Sequence, residues 1–109
     1  MALRSVRLRE RAATDIDQAA DYYRREAGTE VALRFIDAVE RAVNQVGRAP
    51  QSGSPRFSYE LEIPDLSVRA VPRFPYLVFY IGGDGVVDVW RILHERRDVP
   101  SALTDDIDT

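Results

Sequence analysis

The chain has 109 residues and a net charge of −3 at neutral pH, which predicts one domain and argues against a general nucleic-acid binder. It has no cysteine and a single histidine, which excludes disulfides, thiolate chemistry and the usual zinc constellations. All 15 basic residues are arginine, so no lysine is available to move protons or form a Schiff base.

A chain of this size buries about 65% of its unfolded surface, enough for one core without staples. The start, MALRSVRLRE, has no apolar h-region, so no signal peptide is expected. The longest apolar run, residues 76–81, is too short to span a bilayer. A cytoplasmic protein with no membrane contact is expected. The domain should cover residues 1–100, with 101–109 as a frayed acidic tail carrying Asp105, Asp106 and Asp108.

Residues 3–8 alternate loosely and read as a first strand. A helical pattern follows from about Glu10. Ile16, Ala19, Ala20, Tyr23 and Ala27 share one face, with Asp15, Asp17, Asp21, Arg24 and Arg25 on the remainder. Its N-terminal cap is weak, and Gly28 should end it at a positive φ. Thr29 reads as the N-cap of a second helix whose stripe is Ala32, Phe35, Ile36, Val39, Val43 and Val46. With one or two residues between them, the two helices should form an antiparallel hairpin. QSGSPR (51–56) is loop chemistry. Residues 57–63 read as a ragged strand or an ordered loop, ended by Pro64. Residues 66–71 form a better strand. YLVFYI (76–81) is apolar on both faces and should be central. GGDG (82–85) supplies a hairpin turn, and VVDVWRILH begins the last strand. The order is strand, helix, helix, three-stranded antiparallel meander. That is α+β, with the hairpin covering one sheet face.

Chemistry concentrates at the end of the last strand, where His94 is followed by Glu95, Arg96, Arg97 and Asp98. If strands 66–71 and 86–94 flank the central one, Arg69 lies near this cluster. Arg69, His94 and Tyr80 could then cleave RNA without a metal, His94 moving protons and Arg69 stabilising the phosphorane. The plain alternatives are a structural histidine at a strand end, an Arg69–Asp98 ion pair and a solvated charge run. No spacing marks a carboxylate acid/base couple, a divalent-metal cluster or a Ser–His–Asp triad, and no cofactor is expected. Tyr22 lies off the apolar stripe and is either a lone exposed aromatic or part of a partner groove. Trp90, on the side opposite Arg91, reads as core or as a sheet face covered by another chain.

Several stretches together resemble the ParE branch of the RelE/ParE toxins of type II toxin–antitoxin systems. They are AATDIDQAADYY, GTEVALRFIDAVERAVNQV with APQSGSPRF, LSVRAVPRFPYLVFY, and VVDVWRILHERRDVP. The resemblance covers nearly all of residues 3–100, in order. It implies the same fold, a cognate ParD-like antitoxin laid across the hairpin and onto the sheet, and DNA gyrase as a target held by protein contact. RelE-like members instead cut mRNA on the ribosome, and Arg69 and His94 fall where such members carry working residues. Their lysines are missing here, and net charge −3 opposes docking on ribosomal RNA. The resulting expectation is a ParE-type toxin, with mRNA cleavage or a non-toxic antitoxin-binding module as alternatives. Target contact is assigned to Arg69, Arg91, His94, Arg96 and Arg97, and antitoxin contact to Tyr22, Phe35, Val39 and Trp90.

Overall fold

The computed structural model describes residues 5–82, 85–97 and 102–103. The elements are β1 (Ser5–Leu8), α1 (Glu10–Ala27), α2 (Thr29–Arg48), a 3-10 turn (Pro50–Ser52), α3 (Arg56–Leu61), β2 (Leu66–Ala70), β3 (Tyr76–Gly82) and β4 (Val86–His94). The sheet order is β1-β4-β3-β2. β2, β3 and β4 form the antiparallel meander, and β1 joins β4 in parallel, Ser5 opposite Val86 and Leu8 opposite Val89. The α+β class and the central place of residues 76–81 are as the sequence predicts.

The helical hairpin forms because each helix carries an apolar stripe at helical spacing. Ala12, Ala19, Ala32, Phe35, Val39, Ala42 and Val46 are buried, with Ile16, Ala20, Tyr23, Ile36 and Val43 packed at the margin. Gly28 alone joins the helices. Its φ of 97° lets its N–H donate to the Arg24 carbonyl at 3.1 Å, a conformation that favours glycine. Thr29 is therefore the first helical residue and not the N-cap, because Gly28 ends one helix and begins the next. Arg9 precedes α1 without a side-chain cap, as expected.

The sheet is buried on two sides. Val78, Tyr80, Val87, Val89 and Ile92 face the hairpin. Phe79, Leu93, Leu66 and Val68 belong to a second cluster with Phe57 and Ile63. Two expectations need correcting here. Residues 56–61 are a helix, α3, since Phe57 needs one turn to reach the second sheet face, and Glu62 ends it at φ 54°. The tail is not frayed throughout, because Ala102 and Leu103 are buried in the second cluster; residues 101 and 104–109 lie outside the described residues. Apolar segments thus cover the sheet on both faces, not on one.

The pairing of β3 with β4 shifts between Phe79 and Tyr80: Phe79 faces Arg91 and Tyr80 faces Val89. Trp90 is the extra residue of this bulge. The shift resets the alternation, so Val89 and Ile92, three apart, both reach the hairpin core, while Trp90 packs beside the second cluster.

Tyr80 ties the 3-10 turn to the sheet. Its hydroxyl donates to the Pro50 carbonyl at 2.5 Å, and Gly53 lies so close to that hydroxyl that any side chain there would collide with it. Burial pushes the Tyr80 hydroxyl above the usual tyrosine range, against hydrogen bonds from Gly53 and Ser67 and the charge of Arg69. We expect Tyr80→Phe to lower stability by about 1–3 kcal/mol in urea denaturation, because a half-buried carbonyl loses its donor. A change below about 0.5 kcal/mol would show that water or rearrangement replaces the bond.

Candidate functional site

β1 accompanies β4 only as far as Val89, where the Arg9 N–H donates to the Val89 carbonyl at 3.0 Å. The chain then turns into α1, leaving the last residues of β4 on an open edge. Asp15, on the buried face of α1, closes that edge. Its Oδ2 accepts the Ile92 N–H at 2.9 Å. The Arg91 guanidinium donates Nε to Oδ2 at 2.8 Å and Nη2 to Oδ1 at 2.9 Å. Arg91 Nη1 also donates to the Ala102 carbonyl at 3.3 Å, which pins the C-terminal segment to the same point. Both partners are almost fully buried, at 3% and 6% side-chain exposure.

Arg91 therefore cannot face a target. It is a buried strut whose charge is consumed by Asp15. Its charge alone assigns Asp15 to the polar face of α1. Its spacing from Ala12 (i+3) and Ala19 (i−4) puts it on the buried stripe, a signal that an acid here needs a buried base.

Beyond this pair, α1 and the end of β4 enclose a cleft of about 250 Å³ lined by Gln18, Tyr22, Tyr76, His94 and Arg97. The His94 ring packs edge-on to Tyr76, centroids 5.3 Å apart. Its Nδ1 accepts the Arg96 N–H at 3.1 Å, so the neutral ring carries its proton on Nε2. Burial, then the neighbouring Tyr22 hydroxyl and the Asp15 charge, push the Tyr76 hydroxyl above the usual tyrosine range. Tyr22 is 51% exposed. Arg96 and Arg97 are exposed, and Arg97 makes no ion pair among the described residues.

The other two members of the ribonuclease set are elsewhere. Arg69 sits on β2, two strands from β4, and donates to Ser52 Oγ at 2.8 Å. Tyr80 is fully buried with its hydroxyl committed to Pro50. The sequence reading that clusters Arg69 and Tyr80 with His94 fails because Arg69 and Tyr80 serve the 3-10 turn. Asp98, the proposed ion-pair partner of Arg69, lies outside the described residues. No group of three metal-ligating side chains occurs among the described residues.

Of the antitoxin candidates, Phe35 is 0% exposed and belongs to the core, since the strongest stripe positions of α2 are those that meet the sheet; Val39, 2% exposed, packs in the core and also lines the apolar groove beside β1. Trp90 is half-buried on the other face, with the Arg9 guanidinium 4.2 Å from its ring centroid. Arg9 also grips Asp88 through two nitrogens, at 2.9 and 3.1 Å. Burial opposes the Asp88 charge, but the Arg9 and Arg7 hydrogen bonds and charges outweigh it and hold the carboxyl below its usual range.

Sequence reasoning missed a second feature. Val6, Leu8, Ile16, Ile36 and Val43, with Glu40 and Asn44 at the rim, line an apolar groove of about 380 Å³ between β1 and the hairpin. Ser5 and Arg9 turn their N–H groups to β4. By the alternation of a parallel ladder, Val6 and Leu8 turn theirs outward. An open strand edge thus borders an apolar trough. Placing it requires knowing that β1 is the outer strand, which no local pattern reveals.

A family model described as "ParE toxin of type II toxin-antitoxin system, parDE" matches residues 6–99. The chain belongs to the ParE toxin family. A solved structure, "Chromosomal ParDE TA system from P. aeruginosa", superposes with a TM-score of 0.72 at 21% identity, covering 84% of this chain and 96% of that one. At that identity the likeness shows that the ParE fold is shared. A search of curated proteins returned no match. No helix among the described residues of this ParE-family chain is long and apolar enough to cross a membrane.

Proposed function

We propose that this ParE toxin is held inactive by a ParD-like antitoxin and, when released, poisons DNA gyrase by protein contact. The observation that carries the antitoxin half is the open β1 edge beside the apolar groove. An extended segment added to that edge would gain backbone hydrogen bonds from Val6 and Leu8 and drop alternate apolar side chains into the trough. Contact without catalysis is supported by the separation of Arg69 and Tyr80 from His94. The half-buried His94 and the exposed Arg96 and Arg97, beside the Gln18–Tyr22 stretch of α1, make the target-facing candidates, while Arg69 and Arg91 act structurally.

The purified chain is expected to inhibit supercoiling by gyrase, or to trap cleaved DNA, and to leave mRNA intact in a translating-ribosome assay. Cuts in mRNA that disappear with His94→Ala would overturn this and establish the ribonuclease reading. Inactivity in both assays, with antitoxin binding retained, would make the chain a non-toxic binding module.

A further inference from the structure

The cleft at the end of β4 has an unusual balance of hydrogen-bonding groups. Among the described residues its only carboxylate, Asp15, already accepts two bonds from Arg91 and one from the Ile92 N–H. That pair adds no net charge to the cleft. Every other polar side chain lining it can donate: the Gln18 amide, the Tyr22 and Tyr76 hydroxyls, His94 and the Arg97 guanidinium. With Nδ1 accepting the Arg96 N–H, the neutral His94 ring offers its Nε2–H. Arg97 has no ion-pair partner among the described residues. A wall of donors with its acceptor satisfied is complementary to an anion.

Charge chooses among anions. Arg97 supplies one permanent positive charge, and its planar fork matches a carboxylate in a bidentate pair. Glu10 and Arg11 both line the adjoining polar surface beside Arg97, so that surface adds no net charge, and the chain as a whole carries −3. That net charge opposes a dianionic phosphate or a polyanion. The wall provides one cation, one imidazole and three neutral donors, which suits one carboxylate.

We propose that this cleft receives the carboxylate of one aspartate or glutamate side chain from the protein that the toxin targets. The inference rests on the reading that the chain works by protein contact, but it does not require the target to be gyrase. Arg97 and the His94 Nε2–H hold the two carboxylate oxygens. Gln18 and the tyrosine hydroxyls supply the remaining donors around it.

His94 is the only histidine, so its ring protons report on the cleft directly by NMR. The probes are N-acetyl-glutamate amide, its glutamine analogue and inorganic phosphate, each titrated into the intact chain. The glutamate probe should shift the His94 ring signals saturably, with a dissociation constant of order 1–10 mM, and the glutamine probe should not. Arg97→Gln, with a native amide spectrum, should weaken the effect at least tenfold. No saturable shift, equal shifts with glutamine, or tighter binding of phosphate would each overturn the inference. The two proposals separate cleanly. Binding of the glutamate probe by a chain that leaves gyrase untouched would remove gyrase and keep the carboxylate site. Inhibition of gyrase without probe binding would do the reverse.

Discussion

Asp15→Ala is expected to destabilise the chain by about 3–5 kcal/mol, the usual consequence of stripping one partner from a buried ion pair. The substitution leaves the Arg91 guanidinium buried without its counter-charge and the Ile92 N–H without its acceptor. It also loosens the hold of Arg91 on Ala102. Against a typical total of about 5–15 kcal/mol, the loss removes a large part of the stability. Replacing both partners, as Asp15→Leu with Arg91→Met, should cost less than Asp15→Ala alone, because no charge is stranded, although the Ile92 N–H still lacks an acceptor. Urea denaturation of the three proteins decides the matter. A midpoint for Asp15→Ala equal to that of the parent would mean that water enters and solvates Arg91.

Phe35→Ala should cost about 3–5 kcal/mol as well, for a different reason. Phe35 is fully buried, with ring centroids of Tyr23, Phe74 and Tyr76 at 5.2, 5.3 and 5.1 Å. Truncation opens a cavity among three rings that belong to α1, the β2–β3 turn and β3, and these cannot all move inward together. The same variant tests the assignment of Phe35 to the core. If its denaturation midpoint were unchanged while antitoxin affinity fell, Phe35 would be a binding residue reached through an opened hairpin. Ile36 and Val43, which line the groove, are the residues whose polar substitution should weaken antitoxin binding with little loss of stability.

Local periodicity carried the hairpin and the central strand. Residues 76–81 are apolar at every position because Val78 and Tyr80 meet one core and Phe79 the other. Three things escaped. The parallel pairing of β1 with β4 joins segments about as far apart as the chain allows, and no local signal encodes it. α3 is six residues long, too short for a helical period to show over a mixed stretch such as RFSYEL. The bulge at Trp90 breaks the two-residue rhythm of β4, so face assignments past that point cannot be read by counting. The site was half legible. His94 and Arg97 stand out as charge at a strand end, and they do line a cleft. Tyr80, Arg69 and Arg91 have the same chemistry on paper, but their partners Pro50, Ser52 and Asp15 come from distant parts of the chain.

The register of β1 against β4 also governs when this molecule can come into being during synthesis. Ser5 finds its neighbour at Val86 and Leu8 at Val89. At roughly 10 residues per second, about 8 seconds of translation separate the two strands. The hairpin, built from local contacts, can form early in that interval. The groove beside β1 and the cleft at the end of β4 cannot, because both are walls of the closed sheet. A ribosome that stalls before residue 86 would therefore release a helical fragment lacking both binding surfaces. The chain becomes competent for partner and target at nearly the same moment, when β4 takes its place beside β1.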